Sequence, residues 1–133
     1  MSRFQKLSHV IWHCQYHIVW CPKYRYRVLK GKLADFLNQL IQVEVQKMKG
    51  QIVELNVQED HVHLLLRVPP KISVSQLMGT IKGKSAIQLF QRFPSLRTKR
   101  YWGNRFWVQG YCVDTVGLDS EKIRKYVKYQ EDK

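Results

Sequence analysis

Residues 60–66 read Asp60-His61-Val62-His63-Leu64-Leu65-Leu66. In a strand, successive side chains point to opposite faces, so His61, His63, Leu65 and Arg67 share one side and Val62, Leu64, Leu66 and Val68 the other. The second set is a core face. The first set brings two imidazoles close enough to bind one cation, provided that helices cover only the opposite side of the sheet. On this stretch alone, the plainer reading, that the histidines serve polar neighbours at a strand end, stays open.

The chain has 133 residues, a length that predicts one domain over residues 1–133 with one core. Its 23 Lys and Arg against 10 Asp and Glu leave a net charge of +13, too lopsided for an ordinary enzyme of small neutral metabolites. A polyanion is the expected partner. No run of about 18 apolar residues, secretory leader or lipidation motif is present, so nucleic acid is favoured over a membrane surface and the protein is expected to be soluble. Cys14, Cys21 and Cys112 are odd in number and lack Cys-x-x-Cys spacing, which predicts buried, reduced thiols in a cytoplasmic protein.

Working outward from the histidines, residues 51–58 alternate Val53, Leu55 and Val57 against Glu54, Asn56 and Gln58, a half-buried strand that Glu59-Asp60 turns into the histidine strand. Upstream, residues 1–8 read as a loose basic arm. Residues 9–21 are rich in β-branched and aromatic side chains and predict a strand that Pro22 ends. Its polar face carries His13, Gln15 and His17, which brings His17 toward the face of His61 and His63, although a structural role is its default. Lys23-Tyr24-Arg25-Tyr26-Arg27 then interleaves cations with rings, which suits phosphate neutralisation and base stacking; the alternative is a solvated loop. Residues 31–49 carry Leu33, Phe36, Leu37, Leu40, Ile41, Val43, Val45 and Met48 at helical spacing, with Gly50 as the stop.

Downstream of Pro69-Pro70, Ser73 is placed to cap a helix reaching about Arg92, with a core stripe of Leu77, Ile81, Ile87, Leu89 and Phe90. Lys82-Gly83-Lys84-Ser85 forms a basic patch on this helix; it lacks the glycine-rich lead of a nucleotide-binding loop. Residues 94–104 form a loop with Arg97, Lys99, Arg100, Tyr101 and Trp102. Residues 106–116 predict a fourth strand with a bulge at Gly110, and a last helix runs to about Gln130. The order β-α-β-β-α-β-α describes an α+β, ferredoxin-like or RRM-like split-βαβ sandwich. Its antiparallel four-stranded sheet has both crossover helices on one face, and a C-terminal tyrosine-bearing helix follows.

On that last helix Tyr126 and Gln130 are spaced i, i+4, about 6 Å apart at their Cβ atoms. Docked beside the histidine strand, Gln130 gives an amide oxygen as a third metal ligand and Tyr126 a nucleophile for a bound phosphate. Tyr129 competes as nucleophile, but it lies about 100° around the helix from Gln130.

His61-Val62-His63 with a downstream Tyr126-x-x-x-Gln130 resembles the single-tyrosine HUH (His-hydrophobic-His) transposases of the smallest insertion sequences. The resemblance spans nearly the whole chain. It includes Tyr16-His17-Ile18-Val19-Trp20-Cys21-Pro22-Lys23-Tyr24-Arg25, Lys82-Gly83-Lys84-Ser85 and Val113-Asp114-Thr115-Val116-Gly117. It implies a homodimeric DNA transposase that recognises subterminal hairpins in single-stranded DNA. Such an enzyme cuts with a divalent metal and no nucleotide cofactor, leaving a 5′-phosphotyrosine link and a free 3′-hydroxyl. Nitrogen and oxygen ligands at His61, His63 and Gln130 suit Mg²⁺ or Mn²⁺, and Lys23, Arg25, Arg27, Lys82, Lys84, Arg97, Lys99 and Arg100 are the expected DNA contacts.

Two rivals are weaker. A binding-only module on the same sheet would want aromatics rather than histidines on the central strands, and a zinc hydrolase lacks a third ligand at familiar spacing. A domesticated, repeat-associated transposase is the nearest alternative. Whether Tyr126 serves its own subunit or, with Gly117 as hinge, its partner's stays open.

Overall fold

The alternation around the histidines is realised in a strand whose Val62, Leu64 and Leu66 are fully buried while the intervening side chains are half-exposed. The computed structural model describes the backbone at residues 5–7, 10–12, 14–99 and 105–115, and the side chains at 14–97 and 105–115. Its elements are β1 (Gln5–Leu7), β2 (Val10–Trp12), β3 (Gln15–Trp20), a 3-10 turn (Lys23–Arg25), α1 (Gly31–Lys47), β4 (Gln51–Val57), β5 (Val62–Arg67), α2 (Val74–Arg92), α3 (Leu96–Lys99) and β6 (Cys112–Thr115). Strands β4-β5-β3-β6 form a four-stranded antiparallel sheet. With α1 between β3 and β4 and α2 between β5 and β6, this is the expected α+β split-βαβ arrangement. The core is built by Ile18 and Trp20 of β3, the buried face of β5, Leu37 and Ile41 of α1, and Leu77 and Ile81 of α2.

The first predicted strand is two. β3 pairs with β5 from Gln15↔Arg67 to Trp20↔Val62, and the Val68 N–H still donates to the Cys14 carbonyl at 3.0 Å. Pro69 and Pro70 then have no N–H to extend the ladder. Residues farther upstream take another partner: β2 pairs antiparallel with β1, so the expected loose arm contains a strand.

Strand β4 departs from simple alternation. A register shift between Ile52 and Glu54 turns Val53 out to solvent, and Ile52, Leu55 and Val57 pack on the core. Helix α1 ends at Lys47, and its Val43 is exposed. Lys49 takes the left-handed conformation, with φ 63°. At Gly50 a Cβ would lie 2.9 Å from the Val45 side chain and 3.1 Å from the Arg67 carbonyl, so only glycine fits where the chain turns into β4. Ser73 caps α2 as expected, its Oγ accepting the Gln76 N–H at 3.0 Å. Ile87 is exposed instead of buried, and Met78 and Ser85 take the core positions.

Among the described residues, 106–115 of the expected strand over 106–116 are not one strand. Phe106 and Trp107 are both buried although adjacent, which an alternating strand on a one-sided core cannot achieve. Gly110 at φ 97° makes a bend rather than a bulge, and pairing with β3 begins only at Cys112. Cys14 and Cys21 are half-buried and Cys112 exposed, so the thiols are less enclosed than expected. The predicted C-terminal helix lies outside the described residues.

One carboxylate clasps the two long helices. Glu44, 3 % exposed on the inner stripe of α1, accepts from Lys84 of α2 at 3.1 Å and from Lys47 at 3.3 Å. Burial raises its carboxyl pKa, but the hydrogen bonds and charges of Lys84 and Lys47 outweigh burial and hold it below the ordinary value. A depressed native pKa stabilises the fold above the unfolded value of about 4.5, and the contribution is lost as pH falls through the lower native value. Glu44→Gln is therefore expected to cost about 1–3 kcal/mol at pH 7 and to flatten the loss of stability as pH falls below about 4.5. Urea unfolding at each pH measures this; parallel pH profiles for the two proteins would count against the clasp.

Candidate functional site

His63 leaves β5 on the sheet face opposite the core, and His61 stands just before the strand, where the Gln58 N–H donates to the His61 carbonyl at 2.8 Å. The two rings meet edge to face with centroids 4.8 Å apart. His61 Nδ1 is 2.7 Å from Asp60 Oδ1. An ionised carboxylate only accepts, so a proton sits on Nδ1 and is donated to Asp60. Asp60 is held ionised: the hydrogen bond from His61 lowers its pKa most, burial opposes this, and the charge of Arg25, 3.0 Å away, adds to the lowering.

His63 has the same arrangement with a different partner. Its Nδ1 lies 3.0 Å from Nε2 of His17, which reaches across from β3, and the two rings are nearly parallel. Burial, followed by the neighbouring His61 and His17, pushes the His63 pKa down, so the ring is kept in the neutral form that a metal ligand needs. For His63 to offer a lone pair at Nε2, its proton must sit on Nδ1 and be donated to His17 Nε2.

His17, Glu54, Asn56, Gln58, His61 and His63 line an open cavity of about 560 Å³ on this face. Among the described residues no cluster of three His, Cys, Asp or Glu side chains is close enough to hold a metal. Two imidazoles whose Nδ1 atoms have internal partners nonetheless fit a divalent cation that takes its remaining donors from oxygen. Gln130, expected as third ligand, and Tyr126, expected as nucleophile, lie outside the described residues, as does Arg100.

The other basic residues named from sequence have differing surroundings among the described residues. Arg25 is tied to Asp60 and so adjoins the histidines, while Arg27 is exposed farther along the same loop. Lys23 and Lys82 line a second groove. There Lys82 Nζ donates to the carbonyls of Val108 and Gly110, each at 2.8 Å, and burial lowers its pKa. Lys84 is paired with Glu44. Arg97 lies over the Phe90 ring, 5.3 Å from its centre, and of Lys99 only the backbone in α3 is described. Ser85, the last residue of the basic patch, is buried and accepts from Trp107 Nε1 at 2.8 Å. It acts as a core contact.

By sequence, His17 is structural by default and Asp60 belongs only to the turn before the histidine strand. The signal for His17 was its place on the polar side of its strand; that for Asp60 was adjacency to His61. Neither signal reveals which ring nitrogen is engaged, because that depends on how β3 registers against β5.

A family model described as "Transposase IS200 like" matches residues 10–130. The chain is 41% identical over its whole length to the transposase for insertion sequence element IS200 of Salmonella typhimurium, covering 88% of that protein. It is 35% identical to the ISDra2 transposase TnpA of Deinococcus radiodurans, over 92% of this chain and 88% of that one. A crystal structure of a candidate transposase from Deinococcus radiodurans superposes with a TM-score of 0.78 at 32% identity, covering 95% of this chain and 97% of the other. The structure of a REP-associated tyrosine transposase bound to a REP hairpin shares the fold, with a TM-score of 0.59 at 16% identity over 97% of this chain and 70% of that one.

The His17 contact makes a prediction that requires no DNA. Imidazole ¹⁵N shifts are expected to show His63 protonated on Nδ1 in the unaltered protein and to lose that preference in His17→Phe, which keeps a ring but removes the acceptor. His63 protonated on Nε2 in the unaltered chain would refute the acceptor role of His17.

Proposed function

The chain belongs to the IS200-like transposase family, and from that premise we propose that it cuts and rejoins single-stranded DNA beside subterminal hairpins through a covalent bond to Tyr126. The observation that carries this reading is the pair His61 and His63 on an uncovered sheet face, each with Nδ1 engaged by an internal partner and both lining one open cavity. His61, His63 and the amide oxygen of Gln130 would hold Mg²⁺ or Mn²⁺. When bound, such a cation polarises the scissile phosphate and screens its anionic oxygens.

The protein's own groups do the rest. Asp60 and His17 fix the two rings, so that no rotation of the imidazoles is required on binding. Tyr126 Oη loses its proton and forms a bond to phosphorus; the bond from phosphorus to the 3′ oxygen breaks, and that oxygen leaves with the electron pair and takes up a proton. The phosphotyrosine keeps the bond energy, so a 3′-hydroxyl can reverse the step without a nucleotide cofactor. A phenol with an ordinary pKa of about 10 needs help to ionise near neutrality. Lys23, Arg25, Arg27, Lys82, Lys84, Arg97, Lys99 and Arg100 contact DNA phosphates. Arg25 is the one tied to Asp60, beside His61. The 1–133 span acts as one domain, as a homodimer, in the cytoplasm. The REP hairpin held by one structural neighbour supports a hairpin as the form of DNA recognised.

Labelled hairpin DNA incubated with Mg²⁺ or Mn²⁺ and run on a denaturing gel tests this. The unaltered protein should give a cut strand and a protein-linked strand. Tyr126→Phe and His61→Ala should abolish both products while leaving hairpin binding largely intact, and Tyr129→Phe should keep them. An adduct that persists without Tyr126 and vanishes without Tyr129, or full cleavage by His61→Ala in metal-controlled buffer, would overturn the assignment.

A further inference from the structure

A second groove, of about 640 Å³, is lined by Lys23, Tyr24, Lys82, Arg105, Trp107 and Gln109. Its walls are fixed from both sides. The Lys23 N–H donates to the Phe106 carbonyl at 2.8 Å and the Val108 N–H to the Cys21 carbonyl at 2.9 Å, and Pro22 bridges Trp107. Lys82 braces the far rim through the carbonyls of Val108 and Gly110.

Between these anchors the backbone is strained. Tyr24 at φ 58° and Arg25 at φ 53° are consecutive left-handed residues without being glycine, a conformation in which Cβ crowds the backbone. Such strain persists only where surrounding contacts over-determine it. The Arg25 N–H donates to the Pro22 carbonyl at 2.8 Å, and the Arg25 guanidinium is held by Asp60. Tyr26, just past the turn, packs against the core, whereas Tyr24 stays outside it, 64% exposed. The Tyr24 ring lies 5.5 Å from the Tyr26 ring, and Lys23 Nζ is 5.5 Å from its centre. An exposed ring held beside Lys23, Lys82 and Arg105 offers one stacking surface and several cations, the pair of terms that binds single-stranded nucleic acid.

We propose that this groove holds one unpaired nucleotide of the DNA strand, with its base stacked on Tyr24 and its phosphates facing Lys23 and Arg105. The inference rests on the reading of the chain as a single-strand DNA transposase and adds a subsite to it. Base pairing hides the faces of bases inside a duplex, so the groove selects unpaired positions. Arg25 links it to the histidine cavity through Asp60, so a strand seated on Tyr24 continues toward His61.

The probe is a short single-stranded oligonucleotide of 5-iododeoxyuridine, which cross-links to a stacked aromatic ring on irradiation, together with unmodified oligonucleotides for affinity. The cross-link should map to the peptide carrying Tyr24. Tyr24→Ala should weaken single-strand binding about 5- to 150-fold, the range for loss of one stacked base, whereas Tyr24→Phe should bind within about twofold of the unaltered protein because the ring remains. Duplex binding should be the same in all three. Equal single-strand affinity for Tyr24→Ala, or a cross-link that maps only elsewhere, would overturn the groove while leaving the transposase reading intact. Absence of any single-strand preference in the unaltered protein would overturn both.

Discussion

Strand β5 sits between β3 and β4 with three of its side chains fully buried on one face, and its register fixes both the core and the site. A slip of one residue would send Val62, Leu64 and Leu66 to solvent and drive His63 into the core. Hydrophobic burial of those side chains, worth about 1.5–3 kcal/mol each, is thus the force that presents the imidazole on the open face. The crossover helices take the other side, because split-βαβ connections of the same hand place both on one face. The site is uncovered for the same reason that the core is covered.

Fixing a ring's position does not make it a ligand; the position of its proton must also be set. Asp60 does this for His61 through a neighbour in sequence, and His17 is placed to do it for His63 from another strand. The first contact needs only the turn between β4 and β5. The second exists only because Val19 is the Cα partner of His63, so that His17, two residues earlier on the same face, reaches it diagonally. Register that serves the core therefore also serves the chemistry.

Charge follows a similar economy. The chain has 10 acidic side chains for 23 Lys and Arg. Among the described residues Glu44 and Asp60 spend theirs on Lys84, Lys47 and Arg25, contacts that join α1 to α2 and the Lys23–Arg25 turn to the histidine hairpin. Too few acids remain to neutralise the excess, and the surplus positive charge is left for a polyanionic partner.

Local pattern by itself determined the alternation of β5, the helices α1 and α2, the Ser73 cap, the hairpin through Glu59-Asp60 and hence the split-βαβ order, because each depends on spacing within a few residues. Tertiary structure decided the rest. It set the start of β3 where the prolines after β5 stop the ladder, turned Val53 outward at a register shift, sent adjacent Phe106 and Trp107 both into the core, buried Ser85 against Trp107, and joined His17 to His63. Each of these depends on a partner distant in sequence, and a periodicity read along one segment carries no information about what the facing segment supplies.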